Sequence, residues 1–325
     1  MSVKTKVLAI LEEHKGTSIS GSEIADEIGM TRGAVWKAIK QLQSEGYPIV
    51  AATNRGYCLS SESDLISEES IKPLLKSKYF GNKIEAFKTI DSTNTFAKKL
   101  AQQGASHGHV VISEQQTSGK GRLERNFYSP TNSGIYMTII LRPKLSMDKA
   151  SLITSCAAAA VALAIENVTG IDTKIKWVND IFVNGKKLCG ILTEAGMDFE
   201  SGTLEYAVVG IGINVSTESF PDELKNVATS LAIESKSTFS RSRLIAEILN
   251  VFEEYYDTIE TKEFLSEYIS RSNIIGKEIT VIGAVESYTA TAVRIDDTAR
   301  LIVKTSDGIE KILNSGEISI RAKQY

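Results

Sequence analysis

Every residue from Cys156 to Ala164 is apolar, whichever way a helix through them is turned. A helix without a polar face must be enclosed by protein on all sides. The helical pattern around it covers 150–167, and no apolar run is read as approaching the length of a membrane span. Such a helix needs a domain large enough to wrap it. The flanking sequence supplies one. Helical periodicity also covers 68–77, 92–103 and 242–259. Strand patterns cover 83–90, 110–115, 134–141, 173–178, 181–183, 187–194 and 206–215. Asn184-Gly185 between two apolar runs signals a type I′ hairpin. The expectation is an α+β domain over 65–273, a mixed or antiparallel sheet backed by helices. A chain of 325 residues exceeds one ordinary core, so two or three domains are expected.

The N-terminal stretch reads differently. Val3, Val7, Ile10 and Leu11 share one helical face. Ser20 precedes a short helix with Ile24 and Ile28 inward, Gly29-Met30 turns, and Thr31 caps a third helix burying Val35, Ala38, Ile39 and Leu42. That is a helix-turn-helix pattern. Its outer face offers Thr31, Arg32, Gly33, Trp36, Lys37, Lys40 and Gln41 to phosphates or base edges. Trp36 is read equally as a packing residue or a DNA contact. Residues 47–59 read as strand, turn, strand, a wing with Arg55 at its tip. The first 60 residues hold 7 basic and 6 acidic side chains, so a helical interaction module is the competing reading. One such domain should bind DNA feebly, because affinity scales with the phosphates neutralised. A dimer on paired half-sites is inferred. The polar stretch 60–64 is read as a connector, which bounds a winged helix-turn-helix domain at 1–64.

Residues 274–325 hold short alternating strands at 278–282, 287–295, 300–304 and 310–313. Turns fall at Gly283, Asp296-Asp297 and Asp307-Gly308. A small SH3-like barrel is expected.

Several polar motifs fall at strand ends and loops. Thr117-Ser118-Gly119-Lys120-Gly121-Arg122, continued by Leu123-Glu124-Arg125, interleaves glycines with cations. Glycine lets backbone approach a ligand, and the cations suit an anion. It is not a P-loop, because Lys120 is followed by Gly121. Alone, such a run is more often a solvated surface loop. The others are Asp91-Ser92-Thr93-Asn94, Gln116, Lys176-Trp177-Val178-Asn179-Asp180, Lys187-Leu188-Cys189-Gly190-Ile191-Leu192-Thr193-Glu194 and Gly210-Ile211-Gly212-Ile213-Asn214. The last lacks the third glycine of a dinucleotide site. Cys58, Cys156 and Cys189 show no metal or disulfide spacing, consistent with a reducing cytoplasm. His107 and His109 lack a third ligand in a fitting pattern. The net charge of −3 confines any nucleic-acid surface to a local patch.

Taken together and in this order, the motifs resemble those of the biotin protein ligases, specifically the bifunctional type that also represses the biotin operon. The resemblance spans the whole chain. Residues 119–125 match the family's glycine-arginine loop, 176–180 its Lys-Trp-Pro-Asn-Asp motif and 187–192 its Lys-Leu-x-Gly-Ile-Leu motif. It implies a central class II synthetase-like ligase domain. The implied activity joins biotin and ATP into biotinyl-5′-adenylate, then transfers biotin to one lysine of a biotin carboxyl carrier protein of acetyl-CoA carboxylase. Lys187 and Arg122 are the implied catalytic residues. Ser92, Thr93, Asn94, Gln116, Lys120, Gly121, Arg122 and Lys187 would bind biotin. Arg122, Arg125, Lys176, Asn179, Asn214 and Arg321 would bind ATP. Mg²⁺ would accompany ATP, with Asp180 as its ligand or as a neighbour of its ligands. Ser92 and Thr93 also suit a helix cap.

The resemblance further implies a homodimer when adenylate is bound, operator DNA as a partner, no membrane and a cytoplasmic location. A mixed anhydride must be shielded from water, a task for a loop that orders over it. Five positions depart from the family, and of these Leu123 replaces a more basic or small residue. Lys120 replaces Arg and loses bidentate geometry, and Glu124 adds negative charge near phosphates. Val178 replaces proline and should loosen the turn before Asn179, while Phe127 stands where Trp is common. The rivals are a lipoate–protein ligase and a catalytically inactive ligand-sensing repressor.

Overall fold

The computed structural model describes residues 2–52, 55–146, 149–198, 200, 202–282, 287–314 and 317–320. The chain divides into two compact units, one of residues 1–75 with 240–246, the other of 76–239 with 247–325.

In the first unit, α1 (Val3–Glu13), α2 (Gly21–Ile28) and α3 (Arg32–Ser44) pack around Leu8, Leu11, Ile24, Val35, Ile39 and Leu42. Ser20 and Glu23 close a capping box on α2, and Gly29 ends it at φ 67°, a left-handed turn suited to glycine. Thr31 caps α3 through the Ala34 N–H. β1 (Ile49–Ala52) and β2 (Gly56–Leu59) pair antiparallel as the expected wing. The turn residues Thr53 and Asn54 lie outside the described residues. The helix expected over 68–77 is shorter. α4 (Glu68–Ile71) gives way to a 3₁₀ turn over Lys72–Leu74, where Pro73 has no N–H to continue a helix. The 60–64 connector is anchored. Asp64 accepts from the Arg241 backbone N–H at 2.8 Å and from its Nε at 2.6 Å.

The second unit is built on a seven-stranded sheet. Its strands are β3 (Ile84–Phe87), β4 (Val110–Ser113), β5 (Gly134–Leu141), β6 (Lys174–Lys176), β7 (Asp180–Val183), β8 (Lys186–Asp198) and β9 (Thr203–Asn214). The order is β3-β4-β5-β9-β8-β7-β6. Only β3–β4 is parallel, so the sheet is mixed. Asn184 and Gly185 both take positive φ between β7 and β8, as a type I′ turn requires. α5 (Thr93–Gln102) packs its Ala97 and Ala101 against Val111, Ile140 and Val208.

α6 (Ala150–Thr169) corrects one expectation, because it is long and apolar enough to cross a membrane. Here 67% of its apolar window is buried inside the protein, against the sheet and α9 (Phe264–Ser270). Two short helices carry too few turns for periodicity to reveal, α9 itself and α7 (Leu231–Ser235); α8 (Arg241–Asp257) follows the expected pattern. The C-terminal strands β10 (Glu278–Ile282), β11 (Ser287–Ile295), β12 (Leu301–Thr305), β13 (Glu310–Leu313) and β14 (Glu317–Ile320) form an antiparallel sheet ordered β13-β12-β11-β10-β14. This five-stranded antiparallel sheet is the expected SH3-like domain; among the described residues no pairing joins β13 to β14. The expected turn at Gly283 lies outside the described residues.

Candidate active site

Strand ends and loops of the mixed sheet converge on one cavity of about 270 Å³. Its first wall is the start of α5. Ser92 caps the helix by accepting from the Thr95 N–H, so the capping role holds while the residue also lines the cavity. Thr93 donates its N–H and hydroxyl to Gln116 Oε1, at 2.9 and 3.1 Å. Gln116 Nε2 in turn donates to Ser129 Oγ at 3.1 Å. Asn94 donates to the Leu192 carbonyl and to Glu194 Oε2, and accepts from Thr138 Oγ1 at 2.7 Å. Burial raises the Glu194 carboxyl pKa, but hydrogen bonds from Lys98 and Asn94 and the charges of Lys98 and Lys120 outweigh it, leaving the net value lowered. Sequence reasoning assigned no role to Thr138 or Glu194. The available signal was Lys98, one helical turn beyond Asn94 and so on the same face.

The second wall is the glycine-basic loop, folded back on itself. Thr117 and Ser118 donate to the carbonyls of Ile90 and Asp91. Gly121 donates to Arg125, and Phe127 to Gly119, at 2.7 and 2.9 Å. The tip, Arg122–Glu124, is a 3₁₀ turn with Leu123 at φ 53°. The side chain of Glu124 lies outside the described residues. Phe127 covers a floor of two glycines that face each other across β8 and β9, Gly190 and Gly212. A Cβ at Gly212 would lie 2.6 Å from the Phe127 ring. The Phe127 departure therefore has a fitted seat.

The third wall is the β6–β7 turn. Arg122 Nη1 donates to Asn179 Oδ1 at 2.9 Å, and Asn179 Nδ2 donates to the Ile191 carbonyl at 2.8 Å. The Trp177–Val178 peptide is cis. Val178 does not leave the turn loose as expected. Its carbonyl accepts from buried Tyr268 Oη at 3.0 Å, and Trp177 Nε1 donates to the Ala299 carbonyl at 3.0 Å. On β8, Lys187 Nζ lies 2.8 Å from Asp180 Oδ1. Its backbone pairs with Val227 and Thr229, while Asn214 Nδ2 at the end of β9 donates to the Thr229 carbonyl at 3.0 Å.

Ser92, Thr93, Asn94, Gln116, Lys120, Gly121, Arg122, Arg125, Lys176, Asn179, Asp180, Lys187 and Asn214 thus line one cavity. Arg321 lies outside the described residues. Asp180 is the one carboxylate among the lining residues, and Lys187 neutralises it. No cluster of three metal-ligating side chains occurs among the described residues. Mg²⁺ is held by one or two carboxylates together with substrate phosphates, and Asp180, set against Lys187, is the one that the lining residues offer. His107 belongs to an aromatic group with Tyr79, Phe80 and Tyr256 and accepts the Arg142 N–H, while His109 is buried.

In the first unit, Thr31, Arg32, Gly33, Trp36, Lys37 and Lys40 are exposed at the start and along the outer face of α3, and Arg55 is exposed at the wing. Trp36 is 52% exposed, so it is not a core packing residue.

Comparison with known proteins adds to this geometry. Residues 86–214 match the profile of the biotin/lipoate A/B protein ligase family. Residues 3–58 match an HTH domain and 274–321 the biotin protein ligase C-terminal domain. The chain is 37% identical to the bifunctional ligase/repressor BirA of Bacillus spizizenii, over 97% of this chain and 98% of that protein. It is 35% identical to the protein of the same name from Bacillus subtilis, over the same shares. The biotin protein ligase of Aquifex aeolicus, solved with biotin and ATP, superposes with a TM-score of 0.63 at 27% identity, covering 74% of this chain and 99% of that one.

Proposed function

The chain belongs to the family of bifunctional biotin ligase/repressors, and from that premise we propose how its own residues carry both tasks. It activates biotin with ATP and passes the biotinyl group to a lysine of a carboxyl carrier protein. Its winged helix-turn-helix binds operator DNA. The reading rests above all on one cavity that gathers Lys187, Arg122, Asn179 and the Thr93–Gln116 pair. We assign the functional parts to 1–64, 65–273 and 274–325.

In the first step a biotin carboxylate oxygen attacks the α-phosphorus of ATP, and pyrophosphate leaves with the bonding electrons. Both reactants are anionic, and charge grows on the α-phosphate oxygens. Preorganised cations lower that barrier. Asp180 holds the Lys187 ammonium and Asn179 aims the Arg122 guanidinium before substrates meet. Asp180 is accordingly read as the counter-ion of Lys187. Mg²⁺ would come with ATP, bound to its phosphates with Asp180 as the one lining carboxylate placed to meet it, and would neutralise phosphate charge. Lys120, Arg125, Lys176, Asn214 and Arg321 complete the nucleotide and adenylate contacts. In the second step the neutral amine of the carrier lysine attacks the acyl carbon. AMP departs, and the new amide nitrogen sheds its proton. Biotin's bicyclic urea is neutral and suits the hydrogen-bonding wall of Ser92, Thr93, Asn94 and Gln116.

A homodimer formed through an edge of the central sheet with bound adenylate would present two winged helices to a palindromic site, and the carrier protein would compete for that edge. The cytoplasm is the compartment this reading requires. Pyrophosphate release from ATP, measured with biotin, with lipoate and with neither, tests the enzyme. Release with biotin is expected. Release with lipoate alone, or none from folded protein, would overturn the assignment.

A further inference from the structure

The turn that carries Asn179 and Asp180 is held at successive residues by chain that lies far downstream. Ile175 donates to the Arg271 carbonyl at 2.8 Å and accepts from the Asn273 N–H at 3.0 Å. Val178 accepts from Tyr268 Oη, and Trp177 Nε1 donates to the Ala299 carbonyl. Trp177 is 3% exposed and Ala299 1%, so this indole hydrogen bond is closed to water. A buried donor stripped of its acceptor loses more than the bond is worth, because no water replaces it.

Ala299 presents that carbonyl from a shaped turn. Its φ is +61°, a left-handed conformation that costs energy in a residue other than glycine. Asp296 holds the turn in place. Its carboxylate accepts from Thr298 N–H and hydroxyl at 2.9 and 2.8 Å, and from Arg300 N–H and Nε at 2.9 and 2.8 Å. The Ala299 N–H closes the turn on the Asp296 carbonyl at 3.0 Å. Beyond Trp177 the line of contacts continues from Asn179 to Arg122 and from Asp180 to Lys187.

We propose that the Asp296–Arg300 turn of the C-terminal sheet is a positioning device for the nucleotide side of the active site, with Asp296 and Trp177 as its positioning residues. The proposal rests on the ligase reading above. It makes the C-terminal sheet a working part of the site through a hydrogen bond to Trp177, independently of any residue that touches substrate. The hydrogen-bonding wall for biotin's urea, Ser92, Thr93, Asn94 and Gln116, lies outside this line of contacts, whose far ends are Arg122 and Lys187. The device should therefore act more on ATP than on biotin.

The test uses the full chain in the pyrophosphate-release assay, with KM for ATP and for biotin measured separately. Trp177→Phe keeps the ring and removes the donor, while Asp296→Ala releases the turn. Each is expected to raise KM for ATP about fivefold or more, with KM for biotin raised less. Because both act through one bond, the double variant should be little worse than either single one. Ala299→Gly keeps the carbonyl and suits the backbone, and should behave as wild type. The chain has two tryptophans, so in a Trp36→Phe background the emission of Trp177 reports its seat directly. Asp296→Ala should shift that emission to the red. Unchanged KM for ATP in both variants, or an equal rise for both substrates with a lowered Tm, would overturn the proposal. Absence of biotin-dependent release in the wild type would instead overturn the ligase reading.

Discussion

Phe127 shows how far one side chain can depend on what its neighbours lack. Gly190 and Gly212 face each other across β8 and β9, and the ring occupies the space where a side chain at Gly212 would stand, within van der Waals reach of Gly190. A methyl at Gly212 cannot coexist with the ring in this position, since the separation would be 2.6 Å. Gly212→Ala should therefore lift Phe127 and the loop that carries Lys120 and Arg122. KM for both substrates is expected to rise, and Phe127→Leu in the same chain should restore part of the loss. A Gly212→Ala variant with wild-type kinetics would refute the seat. Lys187 depends on a charge instead. Asp180 sets its ammonium against the cavity, and loss of one preorganised cation at such a site slows chemistry by about 10²–10³-fold. Lys187→Met should show that loss in kcat for pyrophosphate release, with thermal unfolding little altered.

Elements were legible where their signals are local. All seven strands of the mixed sheet follow alternation or apolar runs, and the β7–β8 hairpin follows Asn184-Gly185. Element ends were less legible, because pairing decides them and pairing is not local. β8 runs to Asp198, four residues past its expected end, because Ala195 to Asp198 find partners on β9 that their polarity does not announce. The motif residues were legible as a set, yet Thr138, the Asn94–Glu194 bond and the Trp177–Ala299 bond were not. Their partners are brought together only by folding. The stretch 60–64 makes the same point. It reads as a connector, yet Asp64 binds the nearly fully buried Arg241 through its carboxylate and its carbonyl. Removing the carboxylate takes the counter-charge from a buried guanidinium, which typically costs roughly 3 kcal/mol. Asp64→Ala should lower stability by that order in chemical denaturation of the whole chain, and an unchanged midpoint would show that solvent replaces the contact.

At the scale of the molecule the question is how a chain of net charge −3 can hold DNA. Its recognition surface is local and modest, with Arg32, Lys37, Lys40 and Arg55 as the exposed cations on the outer face of α3 and the wing. Electrostatic affinity grows with each phosphate neutralised. One domain with so few cations should bind at non-specific strength, and two domains on paired half-sites should bind far more tightly. Operator affinity is then governed by whatever brings two chains together. In the proposed reading that is the adenylate, formed in the cavity bounded by Lys187 and Arg122. ATP with biotin should raise affinity for a palindromic operator at least about tenfold over either alone, the effect of about 1.4 kcal/mol of coupling. The same additions should leave affinity for a single half-site unchanged. Excess unbiotinylated carrier protein should return operator binding to its starting level, because in the proposed reading transfer consumes the adenylate. Gel-shift titrations on palindrome and half-site, with and without ATP plus biotin, check all three. Equal palindrome affinity in every condition would separate the enzyme from the DNA-binding domain and remove the coupling.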